Sequence, residues 1–338
     1  MYTICDFYYS FALSETRYFR KLIRKVSGYA LSKNVQLIIV FVDLWHKTTT
    51  LYLLRSRSCQ TACLKSRSFK DTLHFVFAKF QIDTFMYSGH SWGMFLGSRE
   101  SDDAGQSLQV HDTLILMPTF VIELEKCLAG RKLDCIIFDT CCVGCIEGLF
   151  GLDRVCKYCV AAPSFFCGCS FLEIRSLYQL KKESMLSTMR KTCHQFIRHC
   201  AKSEPHLRFK ISLSLIDTER IANLWHYLLT DGIYLHKISL HKWYLLHTSD
   251  STFDFFVCVN ESHLAAKQKH DLTRIGMSAI VGNYSYVPHK MTFKERKLQT
   301  NLKEISELTG QLGIAGLPIW LTPTEQKIFK KWLKLDSK

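Results

Sequence analysis

Short apolar runs alternate with longer amphipathic stretches along this chain. Thr3 to Tyr9, Val35 to Leu44, Ile82 to Tyr87, Cys135 to Phe138 and Tyr158 to Ala162 are dominated by β-branched, aromatic and other apolar residues. Such runs predict strands buried on both faces, as in parallel sheets. Between them, Ser14 to Tyr29 places Tyr18, Phe19, Leu22, Ile23 and Val26 on one helical face, with Arg and Lys elsewhere. Ser68 to Phe80 and Pro118 to Leu128 read as further helices, the second opened by a proline at its first position. Val35 to Leu44 and Thr49 to Leu54 flank a short turn at His46-Lys47, which predicts a hairpin. With a helix over Val143 to Phe150, the order is β-α-β-β-α-β-α-β-α-β. That order predicts an α/β protein, an α/β/α sandwich with a mostly parallel central sheet.

Gly97 to Gln109 is polar and aperiodic, and reads as an exposed loop. Ser176 to Cys200 reads as a helix. Ser203-Glu204-Pro205 is the best boundary, dividing a core of residues 1–204 from an extension, 205–338, that packs on and completes it. In that extension Leu207 to Ile216, Trp243 to His247, Phe253 to Val259 and Gly316 to Leu321 are β-prone. Thr218 to Leu229, Thr292 to Leu308 and the C-terminal segment read as helices. There is no internal repeat and no low-complexity tract.

Composition narrows the class. With 47% hydrophobic and 22% charged residues, the chain is globular and, at 338 residues, long enough to bury a large core. No apolar run approaches the roughly 18 residues of a membrane span. The first residues lack a basic stretch and a small-residue cleavage site, so the expectation is a cytoplasmic protein. Fifteen cysteines then read as reduced thiols. The formal charge of +14 is spread over Arg17 to Lys25, Lys181 to Lys202, Lys290 to Lys303 and Lys327 to Lys338. None of these has aromatic residues interleaved, so solvated helix faces are favoured over nucleic-acid binding.

The candidate chemistry lies at the ends of two of the strands. Cys135 to Phe138 runs into Asp139-Thr140-Cys141, placing a thiol at the carboxyl end of a buried parallel strand, where open α/β sheets bind ligands. A helix N-terminus just beyond would favour the thiolate. About fifty residues upstream, another apolar run ends in Ser88-Gly89-His90-Ser91. Neighbouring strands delivering His90 and Cys141 would form a base and nucleophile adjacent in space. Caspases show a similar separation, although their pentapeptide around the cysteine is absent here.

The chain resembles the clostripain family of cysteine peptidases, which have a caspase-like fold. Members pair a strand ending in a His-Gly turn with a strand ending in Phe-Asp-Ala-Cys-Leu-Met and an acidic helix start. Here these become Gly89-His90-Ser91 and Phe138-Asp139-Thr140-Cys141-Cys142-Val143, followed by Ile146-Glu147. The opening strand and helix, the Val35 to Asp43 strand, Ser212 to Asp217 and Gly316 to Pro323 extend the similarity in the same order. The resemblance implies Cys141 as nucleophile, His90 as general base and acid, and Asp139 at the floor of an S1 pocket for Arg or Lys. Backbone N–H groups near Gly89, Ser91 and Cys141 would cradle the oxyanion. The implied partner is a protein or peptide substrate, with no membrane. No cofactor is required, although some members need calcium, and no calcium ligand set stands out. The family also processes itself near the loop between His and Cys, which makes Arg99 a candidate cleavage site.

Two departures stand out: Ser91 replaces the family glycine after the histidine, and Thr140 replaces the alanine before the nucleophile. They keep open a catalytically degenerate caspase-like binding module. A zinc protein is the other alternative, because Cys142-x2-Cys145 and Cys156-x2-Cys159 lie ten residues apart and Cys167-x-Cys169 follows. Against zinc, the intervening residues look like an apolar helix, and Cys156 and Cys159 on a strand would point to opposite faces. Cys142 and Cys145 themselves read as packing residues.

Overall fold

The computed structural model describes residues 1–29, 34–56, 58–64, 68–97, 114–163, 168–203, 211–233, 253–286, 312–314 and 322–333. The segments around Arg99, Trp243 to His247, Thr292 to Leu308 and Gly316 to Leu321 lie outside these.

Strand β1 (Tyr2–Ser10) shows how the sequence makes a three-layer protein. Cys5, Phe7 and Tyr9 enter one apolar core, whereas Tyr2, Ile4 and Tyr8 enter another on the opposite face. This is the two-residue alternation of a strand with no solvent-facing side. β2 (Val35–Asp43) divides in the same way, with Leu37, Ile39 and Phe41 on one face and Ile38 and Val40 on the other. β1 pairs in parallel with β2 and with β5 (Thr84–Ser88), and β5 pairs in parallel with β9 (Leu133–Asp139). β10 (Cys156–Ala161) adds a fifth parallel strand beside β9. Antiparallel strands complete each side: β3 (Thr48–Arg55) and β4 (Ser58–Leu64) beyond β2, and β11 (Ile211–Asp217) and β13 (Ile280–Tyr286) beyond β10.

Helices cover both faces. On one, α1 (Leu13–Ser27) buries Phe19, Leu22, Ile23 and Val26, with Phe19 stacked on Phe41 at 3.9 Å between ring centres. α5 (Met185–Ser203) lies on the same side through Met189, Cys193 and Phe196. On the other face, α2 (Phe69–Lys79), α3 (Met117–Leu128) and α6 (Thr218–Thr230) bury Leu73, Val76, Phe120, Leu124 and Trp225. None of the described helices is long and apolar enough to cross a membrane.

Three expectations change, and one strand was not expected at all. The helix after Cys141 shrinks to α4 (Ile146–Leu149), a single turn. Ser176 to Cys200 is not one helix: 3-10 turns occupy Arg175–Gln179 and Lys182–Ser184 before α5 begins. Phe253 to Val259 is helical after Asp254, as α7 (Phe255–Glu261), because Phe255, Cys258 and Val259 recur at helical spacing and bury together. Phe255 and Phe256 pack against Gly276 of α8 (Ala266–Ala279), where a Cβ would meet their rings at 3.2 and 3.0 Å. Finally β4, exposed along most of its length, has no burial pattern to reveal it in the sequence.

Candidate active site

Registration of the three central strands builds the site. Tyr8 of β1 pairs with Ser88 of β5, and Ser88 pairs with Asp139 of β9. His90 and Cys141 therefore each stand two residues beyond a paired position, at the carboxyl ends of adjacent parallel strands. Gly89 makes the turn to His90 with φ of 154°, and a Cβ there would approach Tyr9 Cβ to 3.2 Å. Ser91, by contrast, avoids the left-handed region and begins the short strand β6 (Ser91–Trp92). The position after the histidine thus needs no glycine here. After Cys141 the chain does turn sharply, with Cys142 at φ 58°. A non-glycine residue held there costs on the order of 1 kcal/mol and marks a loop fixed by its surroundings.

The two departures from the clostripain pattern touch each other. Ser91 Oγ lies 2.7 Å from Thr140 Oγ1, donates to the Cys141 carbonyl, and Thr140 Oγ1 donates to the Gly89 carbonyl at 2.7 Å. The two hydroxyls carry two protons between them, so at most two of these contacts are full hydrogen bonds at once, and together they tie the His90 loop to the Cys141 loop. Removing either hydroxyl leaves the other with a poorer set of partners. Ser91→Ala and Thr140→Val should therefore be non-additive, with a coupling of about 0.5–3 kcal/mol in a double-mutant cycle of unfolding free energies.

Beside His90 a cavity of about 330 Å³ opens, lined by Tyr8, Glu15, Tyr18, Gly89, His90 and Asp139 among others. Cys141 and Ser91 are not in its wall. Asp139 is 7% exposed and accepts from Ser170 Oγ and the Phe171 N–H, both at 2.9 Å. Burial pushes its pKa up to about 7, and those hydrogen bonds act against the rise. Asp139 does not cap a helix: the N-cap of α4 is Cys145, whose sulfur accepts from the Gly148 N–H. Asp6 lies beneath, fully buried, with one carboxylate oxygen bound by Ser88 Oγ at 2.9 Å and the other without a hydrogen-bond partner. Burial first, and the charge of Asp139 second, raise its pKa to about 8.

Among the described residues no disulfide joins two cysteines. Cys141 is half-buried, whereas Cys142 and Cys145 are enclosed, and burial lifts the Cys145 thiol well above its usual range. Helix support for a thiolate at Cys141 is small, because α4 is one turn long and begins five residues later. Sequence reasoning missed Glu15, which lies 3.0 Å from His90 Nε2. The signal was an acidic residue in the first turn of the helix leaving β1.

Cys142, Cys145, Cys156 and Cys159 form no ligand cluster among the described residues, and Cys167 lies outside them. Among the described residues the convergent group of metal-ligating atoms is Cys169, from the same spacing pattern, with Glu173 and His199. Glu173 is already engaged, by Lys25 Nζ at 2.6 Å, His199 Nε2 at 3.0 Å and Tyr18 OH at 3.1 Å. Among the described residues no carboxylate cluster offers calcium the oxygen shell it takes, so calcium is assigned no ligands.

Solved structures similar to this chain include several cysteine proteases. A secreted C11 cysteine protease from Bacteroides thetaiotaomicron, in complex with an irreversible peptide inhibitor, matches 100% of both chains with TM-score 0.67 at 13% identity. The secreted C11 protease of that organism called iotapain matches with TM-score 0.64 at 13% identity, over 85% of this chain and 87% of its own. An inactive zymogen C11 protease from Parabacteroides distasonis gives TM-score 0.62 at 15% identity, over 98% of this chain and 96% of that one. The chain thus has the caspase-like fold of the clostripain-type C11 proteases. No protein-family model matches it, and no curated protein matches its sequence.

Proposed function

We propose that this protein is a cysteine endopeptidase that cleaves after Arg or Lys, with Cys141 as nucleophile and His90 as general base and acid. The observation carrying this reading is that His90 and Cys141 leave the ends of adjacent parallel strands, and that His90 and the buried carboxyl of Asp139 line one cavity. The fold shared with proteases, one of them bound to a peptide inhibitor, supports it.

In the mechanism, His90 takes the Cys141 proton as sulfur attacks the scissile carbonyl. The tetrahedral intermediate collapses as the C–N bond breaks, and His90 gives that proton to the leaving amine. Water, deprotonated by His90, then cleaves the thioester and releases the acid. Backbone N–H groups at Gly89, Ser91 and Cys141 are assigned to the oxyanion. Asp139 selects a cationic P1 side chain, because its buried charge is otherwise uncompensated. This chemistry requires no metal.

Cleavage of fluorogenic peptides with P1 Arg, Lys, Asp and Ala tests the reading. Turnover confined to Arg and Lys supports it, and absence of turnover with reductant and calcium present moves the assignment to a binding module. A pH signature follows from Asp139. Its carboxyl is charged only above about 7 in the free protein, so the charge that Asp139 offers a P1 cation is lost at lower pH. The ratio of kcat/KM for P1 Arg over its neutral isostere citrulline should rise with pH by up to about tenfold per unit below pH 7 and then level off. Taking the ratio cancels the ionisation of Cys141 and His90, which both substrates share.

A further inference from the structure

Glu15 is the third residue of α1, and both of its carboxylate oxygens are committed. Oε2 accepts the Phe11 N–H at 2.6 Å and the Ala12 N–H at 3.3 Å, while Oε1 faces His90 Nε2 at 3.0 Å. The helix start is itself fixed, by a buried 2.7 Å contact between the hydroxyls of Ser10 and Thr16 and by Phe19 stacked on Phe41. The His90 ring is about half exposed, and one ring contact and two backbone hydrogen bonds fix it further. Phe11 packs edge-on against the imidazole at 4.8 Å, and the His90 carbonyl accepts from Tyr87 OH at 3.1 Å and the Gly97 N–H at 2.8 Å.

We propose that Glu15 is the positioning residue for His90, accepting its Nε2–H, leaving Nδ1 as the basic nitrogen, and stabilising the imidazolium formed during turnover. The inference rests on the reading of His90 as the general base. A histidine that hands one N–H to a carboxylate has its tautomer and ring orientation fixed. β1, β5 and β9 are neighbours in the sheet, and the segments leaving their carboxyl ends carry Glu15, His90 and Cys141. The proton taken from Cys141 would rest on Nδ1, paired through the ring with Glu15, until the leaving amine takes it. Burial opposes the charge on Glu15, but hydrogen bonds from His90 and the Phe11 N–H outweigh it and hold its pKa below the usual value. The other titratable groups around the cavity are Tyr8 and Tyr9 from β1, Tyr18 from α1, Asp139 from β9, and Cys169.

Two simpler roles compete: a helix cap only, and a second acidic wall of the S1 cavity. Glu15→Gln, Glu15→Asp and wild type, each checked for folding by circular dichroism and thermal midpoint, separate them. With a P1 Arg peptide, Glu15→Gln should lose about 10- to 100-fold in kcat with KM little changed, and the acid limb of kcat/KM should move to lower pH. Glu15→Asp, which keeps the charge but shortens the reach, should fall between. A lowered thermal midpoint with unchanged kcat and pH profile overturns the proposal in favour of the cap. A loss confined to KM for P1 Arg and Lys, absent for citrulline, overturns it in favour of the pocket wall. The imidazole titration of His90, followed by NMR, needs no turnover. A lower midpoint in Glu15→Gln supports the pairing even where wild type cleaves nothing, in which case the peptidase reading fails and the Glu15 contact stands. An unchanged midpoint overturns the pairing itself.

Discussion

Cys141→Ala is expected to lower kcat toward a P1 Arg peptide by on the order of 10⁴-fold or more, while the protein folds as before. The size follows from the role: with no sulfur there is no acyl-enzyme, and His90 has no nucleophile to activate. The fold should tolerate the change, because Cys141 is half-buried and Ser91 holds the loop through the Cys141 backbone carbonyl. Cys142→Ala or Cys145→Ala would not reproduce this loss, because both thiols are enclosed in the core. An effect of Cys142→Ala on stability would reflect packing and its left-handed backbone, not chemistry.

Asp139→Asn should produce the second largest effect, a loss of basic P1 preference worth roughly 10²- to just under 10⁴-fold in kcat/KM. Removing one partner of a buried ion pair costs about 3–5 kcal/mol. The amide retains the shape of the carboxylate, and the Ser170 hydroxyl can reorient. The Phe171 N–H still finds an acceptor if the amide oxygen takes the place of Oδ2. Activity toward citrulline at P1 should change far less, and the rise in the Arg-to-citrulline ratio below pH 7 should disappear. A peptide-cleavage assay over pH 5 to 9 reads both effects, with the variant compared directly against wild type.

The central strands were legible in the sequence because burial on both faces writes itself as unbroken apolar runs. β1, β2, β5, β9 and β10 each fall close to where those runs predict. The strand ends were legible for the same reason, since polarity returns abruptly at Ser88-Gly89-His90 and at Asp139-Thr140-Cys141. What stayed hidden depends on contacts distant in sequence. Glu15 meets His90 across 75 residues, and Ala12 at the helix start lacks the Ser, Thr or Asp that advertises a capping box. Ser91 and Thr140 looked like separate weaknesses, although they form one linkage between two loops. The aromatic run at Phe253 has strand-like propensity, yet packing against Gly276 holds it as helix. Asp6 gave no sign either, because only the pairing of β1 with β5 places it against Ser88 beneath Asp139.

The most direct measurement is covalent capture. The protein, with its fifteen cysteines, is treated with a peptidyl acyloxymethyl ketone bearing Lys at P1, and the labelled residue is located by peptide mass spectrometry. One equivalent of label is expected on Cys141, slowed by His90→Ala and by Asp139→Asn, with poor labelling when P1 is Asp. Label spread over the exposed Cys59 and Cys63 at the same rate for every P1 residue, with Cys141 unmodified, would contradict it.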